Sequence, residues 1–487
     1  MNYSVIVYIL GWIFNIEAVT MTLPCIVALI YHEAQGFGFL IVLAVSAILG
    51  LCLTLKKPAN MKFYVREGFV TVALSWVLMS IVGCLPFVIN GDIPDFTDAL
   101  FETVSGFTTT GASILSDVEG LSKCSLFWRS FTHWIGGMGV LVFILAVIPM
   151  AGGTRMNLMK AESPGPSVGK LVPKVRQTAM ILYIIYIIMT IIEIIFLLAG
   201  HMSLFESITI SFGTAGTGGF GVKNDSLMSA SPYIQWVVTI FMILFGVNFS
   251  VYFLLIMRKF GAVLKHEEFR AYLIIIAVSA VILFVDLRNV FADGGERIRQ
   301  ALFQIGSVMT TTGFSSCDFD LWPQTSKTVL VFLMFIGACA GSTGGGVKVS
   351  RIIIGVKAVY KEIISYIHPR SVKKVKMDGK LIEHEVIRST NVYFMAYMVI
   401  FAISVLLISF ENHSMVTNFT AVLATINNIG PGLDGVGPTQ NFGMFTPFSK
   451  YVLMFDMLAG RLELFPMIMI LCPGIWKKKK KQDFETD

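Results

Sequence analysis

Hydroxyl, amide and glycine residues recur in this chain at a spacing suited to stripping water from a cation. Thr108, Thr109 and Thr110 precede Gly111; Thr217 and Gly218 precede Gly219; Thr310, Thr311 and Thr312 precede Gly313; Asn427, Asn428 and Ile429 precede Gly430. None of the four loops carries an acid. An ion passing them would meet carbonyl, hydroxyl and amide oxygens, which can replace its hydration shell. Glycine permits φ > 0 and so lets the backbone aim a carbonyl inward. The candidate ion-binding residues are therefore Thr109, Thr110, Gly111, Thr217, Gly218, Gly219, Thr311, Thr312, Gly313, Asn428, Ile429 and Gly430.

Such loops must be held at one height. Aligned on their glycines, the four segments match without gaps over the preceding thirteen positions. One column is apolar (Leu100, Ile208, Leu302, Phe419) and another, six residues before each glycine, is small (Ser105, Gly213, Ser307, Ala424). The pattern predicts a short helix, close-packed at its small residue, running into an extended glycine loop. The partially negative C-termini of four such helices, aimed at one axis, favour cations. Ordinary glycine turns are the alternative for any single loop; four aligned copies argue against it.

Composition places these helices in a membrane. The 487 residues are 55% hydrophobic and 14% charged, with a mean hydropathy of +0.75, too apolar for a soluble enzyme of this length. At about 20 apolar residues per span, ten spans can be placed: Val5–Ile30, Phe37–Leu55, Phe69–Val88, Phe127–Met150, Ala179–Ala199, Ile234–Met257, Ala271–Val290, Val329–Val359, Val392–Phe410 and Tyr451–Ile475. The first has no basic leader or small-residue cleavage site, so no cleavable signal peptide is expected. Basic residues follow the even-numbered spans: Lys56, Lys57, Lys62 and Arg66; Arg155, Lys160, Lys170, Lys174 and Arg176; Arg258, Lys259, Lys265 and Arg270; Lys361 to Arg388; and Lys477 to Lys481. The positive-inside rule makes these connections and both termini cytoplasmic, and the glycine loops external. The net charge of +6 thus reports topology and contact with anionic membrane lipid, not nucleic acid.

The expected fold is all-α and polytopic: an N-terminal helix pair (1–61), then four span, short helix, loop, span units (62–160, 161–260, 261–370 and 371–487). The third unit's inner helix is interrupted and the fourth ends in a basic tail. Irregular backbone at membrane depth is tolerated where it is buried in protein or lines a water-filled path, which four units around an axis would provide. The interruption is Gly337, Ala338, Cys339, Ala340, Gly341, Ser342, Thr343, Gly344, Gly345, Gly346 and on to Lys348, too glycine-rich to stay helical. It reads either as a flexible loop or as close small-residue packing; a phosphate loop is excluded by the missing GK[ST] ending. Arg461 is a mid-span charge that must face the bundle or a cavity, and Glu463, two residues on, does not face it on a helix. Asp456 reads as a satisfied interfacial acid, Glu17 as interfacial or bundle-facing, and His133 and Trp134 as packing or interface anchors. Gly216, Gly218 and Gly221 match GxGxxG without the strand that a nucleotide site requires. Seven cysteines without CxxC, and seven scattered histidines, suggest no disulfide framework, metal site or catalytic group, so no catalytic residue is nominated.

NNIGPG at 427–432, GACAGSTGGG at 337–346 and GRLELFP at 460–466, together with the fourfold layout, resemble the Trk, Ktr and HKT superfamily of potassium transporters, closest to its bacterial TrkH type, over essentially the whole chain. The resemblance implies four membrane-pore-membrane repeats like a fused potassium channel, with potassium, and no covalent cofactor, in a one-glycine filter. Gly111, where sodium-transporting members carry serine, implies potassium preference. It further implies a gate at the 337–348 loop, a barrier at Arg461, a homodimer in the cytoplasmic membrane, and a cytosolic nucleotide-binding regulator of the TrkA type. Lys361 to Arg388 and the Lys477 to Lys481 tail offer the docking surface. A sodium-selective or ion-coupled symporter of the same fold is the alternative; no chain of acids stands out as a proton relay.

Overall fold

The computed structural model describes residues 1–58, 64–139, 175–370 and 374–476. The boundaries placed at 61–62 and 160–161, the basic residues Lys62, Arg155, Lys160, Lys170 and Lys174, the stretch of the fourth span beyond 139, and the Lys477–Lys481 tail lie outside the described residues.

Among the described residues the regular structure is helical apart from one short hairpin, β1 (Lys376–Met377) and β2 (Lys380–Leu381). Helices α1 (Tyr3–Thr20), α2 (Thr22–Tyr31) and α3 (Gly36–Thr54) form the N-terminal group, with α1 laid along α3. Small residues allow that approach, as in membrane helix pairs generally: a Cβ on Gly50 would stand 2.6 Å from Asn15 Oδ1, and one on Gly11 2.7 Å from Leu53 Cβ.

Four units follow. The first contains α4 (Val65–Asn90), α5 (Phe96–Phe107) and α6 (Lys123–Met138); the second α7 (Val175–Ala199), α8 (Leu204–Gly216), α9 (Pro232–Phe245) and α10 (Phe249–Ile256). After α11 (Phe260–Lys265) the third contains α12 (Glu267–Asp286), α13 (Gly294–Met309), α14 (Gln324–Ile336) and α15 (Val349–Ile367). The fourth contains α16 (His384–Ile408), α17 (Met415–Ile426), α18 (Pro447–Arg461) and α19 (Phe465–Leu471). The four short helices α5, α8, α13 and α17 start alike. The side chains of Asp95, Ser203, Asp293 and Ser414 each accept a bond from the backbone N–H three residues on, satisfying a donor that the helix itself cannot.

The units close on one another. The short helix of each packs on the helix that follows the glycine loop in the preceding unit: α8 on α6, α13 on α9, α17 on α14, and α5 on α18. The last contact returns the chain to its first unit.

Several of the expected spans are divided into shorter helices. Among the described residues, six helices are long and apolar enough to cross a membrane, Tyr3–Tyr31 counted as one, and a bent pair makes up to seven. The helices after the glycine loops are the discrepant ones. α9 and α10 meet at 91° across Gly246 to Asn248; α14 and α15 are separated by Gly337 to Lys348; α18 ends at Arg461, before Glu463 and Leu464, both left-handed at φ 60° and 67°. Only the second of these breaks was anticipated.

Candidate functional site

The four glycine segments share one backbone geometry. Gly111, Gly219, Gly313 and Gly430 have φ of 80°, 77°, 86° and 99°. Two residues earlier, Thr109, Thr217, Thr311 and Asn428 are also left-handed, at 55° to 60°, a region that non-glycine residues occupy at a cost. The intervening residue ties the loop to its helix. The N–H groups of Thr110, Gly218, Thr312 and Ile429 donate to Ser105, Gly213, Ser307 and Ala424 O at 2.8–2.9 Å. Those acceptors are the small-residue column, whose carbonyls thus end each short helix in the same turn.

The segments interlock in cyclic order. A Cβ on Gly111 would stand 1.9 Å from Gly218 O, one on Gly219 2.0 Å from Thr312 O, one on Gly313 2.1 Å from Ile429 O, and one on Gly430 2.8 Å from Thr110 O. Each glycine therefore abuts the carbonyl one residue before the next unit's glycine, and no side chain fits between. The fourth junction is wider, and Asn428 Nδ2 bridges it by donating to Thr110 Oγ1 at 2.9 Å and to Met457 O at 2.9 Å. The threonines and asparagines of the ring are fully buried. Thr108 pairs with Thr110 through their hydroxyls at 2.8 Å, and Thr310 with Thr312 at 2.7 Å. The ring thus presents backbone and hydroxyl oxygens without a carboxylate.

The glycine-rich loop between α14 and α15 packs against this ring. Gly345 N–H donates to Thr311 Oγ1 at 2.6 Å. A Cβ on Gly344 would lie 2.8 Å from Thr310 O, and one on Gly345 2.4 Å from Asn427 O. Gly337, Gly341, Gly346 and Lys348 all have positive φ, which accounts for the loss of helix. The loop is anchored to the break in the second unit: Cys339 N–H donates to Gly246 O at 3.1 Å and Phe249 N–H to Gly341 O at 3.0 Å. Glu268 on α12 holds both ends, accepting from Ala340 N–H at 2.7 Å and Ser350 N–H at 3.1 Å. Lys348 is buried and donates from Nζ to Gly344 O of its own loop.

Arg461 joins the loop to the first unit. Its Nη1 donates to Thr343 O at 2.8 Å, and its Nη2 to Gly137 O at 2.8 Å and to Gly136 O. Those two glycines touch the ring segments in turn: a Cβ on Gly136 would be 1.9 Å from Phe107 O, and one on Gly137 2.7 Å from Gly216 Cα. Glu463 instead pairs with Arg351 of α15, whose guanidinium lies 3.9 Å from the Tyr393 ring centre. Three other positions are now placed. Asp456 is fully buried and accepts from Ser404 Oγ at 2.7 Å, so it is not interfacial. Glu17 faces the bundle, lining a small cavity of about 10 Å³ with Met79 and Phe107. His133 is fully buried, and a Cβ on Gly218 would collide with its ring. Sequence reading missed Glu102, Arg129 and Glu268; buried acids and arginines in the apolar pattern were the available signal.

The TrkH sequence profile, described as a cation transport protein, matches residues 35–477. The chain belongs to the TrkH family. It is accordingly a multi-pass membrane transporter rather than an enzyme. Among TrkH relatives, the Trk system potassium uptake protein TrkH of Escherichia coli K12 is 34% identical over 98% of this chain and 100% of its own. That of Vibrio parahaemolyticus is 35% identical with the same coverage. The Escherichia coli protein TrkG is 31% identical over 98% of this chain and 99% of its own. The crystal structure of the potassium transporter TrkH from Vibrio parahaemolyticus superposes with a TM-score of 0.87 at 32% identity, covering 98% of this chain and 100% of that one.

Proposed function

We propose that this protein takes up potassium across the bacterial cytoplasmic membrane through a single-chain pore built from four membrane-pore-membrane repeats behind the N-terminal helix pair. The observation that carries the reading is the cyclic interlock of Gly111, Gly219, Gly313 and Gly430 with the carbonyls of Gly218, Thr312, Ile429 and Thr110. Four short helices ending in one turn supply partial negative charge to a ring of oxygens too crowded for any side chain, which suits a dehydrated monovalent cation. The filter is then Thr109 to Gly111, Thr217 to Gly219, Thr311 to Gly313 and Asn428 to Gly430. Relatives named as potassium uptake proteins support potassium as the ion.

In the same reading, Gly337 to Lys348 is the gate, lying against the filter and barring the path until its anchors release. Arg461 adds a fixed positive charge at that level, held by three carbonyls. The membrane potential supplies about 2.3 kcal/mol per charge per 100 mV, enough for channel-like uptake with both termini cytoplasmic. A homodimer, with a TrkA-type nucleotide-binding regulator docked on the basic inner connection between Lys361 and Arg388, completes the assembly.

The test is ion flux into proteoliposomes, potassium against sodium, for the wild type and Gly111→Ser. Potassium-selective flux that the substitution relaxes supports the filter; equal flux of both ions in the wild type overturns it. Uptake driven by an imposed sodium or proton gradient would instead favour the coupled symporter.

A further inference from the structure

Glu102 and Arg129 form a buried ion pair beside the ring, the first 1% and the second 4% exposed. Glu102 lies on α5, nine residues before Gly111. Its two carboxylate oxygens accept from Ser113 Oγ at 3.0 Å, Ile114 N–H at 3.0 Å and Arg129 Nε at 2.5 Å. Arg129 lies on α6. Its Nη1 donates to Gly221 O at 2.8 Å, and its guanidinium stands 3.6 Å from the centre of the Phe220 ring. His133, one turn further along α6, packs on the same ring at 4.1 Å between centroids.

The pair therefore grips two segments where each leaves its glycine. Glu102 holds the second and third residues beyond Gly111, and Arg129 holds the first and second beyond Gly219. A buried ion pair is a poor way to gain stability, because desolvation offsets the attraction. The fork of an arginine is, in contrast, well suited to fixing two groups relative to each other. α18 offers a comparison: Gly136 and Gly460 each abut the carbonyl four residues before their own unit's ring glycine. The position matching Arg129 is then Leu453, which cannot make such a link.

We propose that Glu102–Arg129 is a positioning pair that fixes the separation of the first and second segments and so helps set the discrimination between potassium and sodium. The inference rests on reading the ring as the ion filter. A ring held open at a fixed size resists closing on the smaller ion; released at one junction, it adapts to sodium.

The experiment measures potassium and sodium flux in proteoliposomes of the full chain for wild type, Arg129→Lys, Glu102→Gln, the double variant Glu102→Leu/Arg129→Leu, and Gly111→Ser. Thermal melting and size-exclusion profiles restrict the comparison to folded proteins. The apolar double variant removes both charges and leaves no uncompensated ion, which guards against loss of fold. Roughly tenfold loss of potassium over sodium preference, with potassium flux itself kept within a few fold, is expected for Arg129→Lys and for the double variant. Loss of fold or flux in step for both ions would mark a merely structural pair and overturn the proposal. Unchanged preference in these variants, with Gly111→Ser relaxed, overturns the positioning role and leaves the filter. Unchanged preference in all, Gly111→Ser included, overturns the filter reading.

Discussion

The backbone N–H of Gly345 donates to the hydroxyl of Thr311 at 2.6 Å, so the glycine-rich loop hangs from the third ring segment itself. Removing the acceptor leaves a buried N–H unsatisfied, at a cost of about 1–3 kcal/mol. Thr311→Val is expected to loosen the loop and raise flux in the absence of any regulator, whereas Thr311→Ser retains the bond and wild-type flux. Flux assays on the two purified variants decide this.

Glu268 should hold that loop from the opposite side, through Ala340 and Ser350. Both N–H groups donate to the same oxygen, Oε1, so Glu268→Ala removes the acceptor of both bonds at once. Cys339, fully buried within the loop, reports the result. With Cys339 as the only cysteine, labelling by a charged thiol reagent is expected to be slow in the parent and at least several-fold faster in the variant. Equal rates would show that Glu268 does not restrain the loop.

Alanine at Gly111, Gly219 or Gly313 sets a Cβ 1.9–2.1 Å from the neighbouring carbonyl oxygen, against 2.8 Å at Gly430. All four pay the positive-φ penalty, more than about 1 kcal/mol. Loss of ion preference should therefore be smallest for Gly430→Ala. A potassium-to-sodium flux series over the four variants tests the order.

Arg461 combines a charge with three carbonyl contacts, and two substitutions separate these. Arg461→Gln removes the charge and is expected to raise inward potassium flux while lowering the melting temperature. Arg461→Lys keeps the charge but loses the fork, so stability should fall while flux stays low. Low flux in a folded Arg461→Gln would dismiss the electrostatic barrier.

In the loop that follows Gly430, hydrogen bonds from Ser414 and then Thr417 hold the Asp434 carboxyl below its usual range. A carboxylate with depressed pKa stabilises the fold above its unfolded value, near 4, and that contribution is lost as pH falls through the folded value. The Asp434→Asn protein should melt lower than wild type at pH 7, and the gap should close below about pH 4. Melting curves across that range measure it.

The glycine segments and their short helices were legible because their determinants are local: an apolar column, a small residue and a glycine at fixed spacing. The second left-handed position was not, since Thr109, Thr217, Thr311 and Asn428 are held there by the turn rather than chosen by type. The break after Arg461 was hidden as well. The residues at the break itself, Leu462, Glu463 and Leu464, include no glycine or proline and so favour helix, and the pairing of Glu463 with Arg351 is tertiary. Likewise Arg461 is satisfied by carbonyls of Thr343, Gly136 and Gly137, which no spacing rule can indicate. Asp456 was misplaced because its distance from a span end says nothing about Ser404 on α16.

Because the ring closes within one polypeptide, its four walls are written separately: threonine, glycine, threonine and isoleucine precede the four glycines. In a symmetric tetramer one codon change alters every wall at once. Here a mutation reshapes a quarter of the circumference and leaves three quarters intact; with the ring as the proposed filter, ion preference can drift in small inherited steps instead of being kept or lost whole.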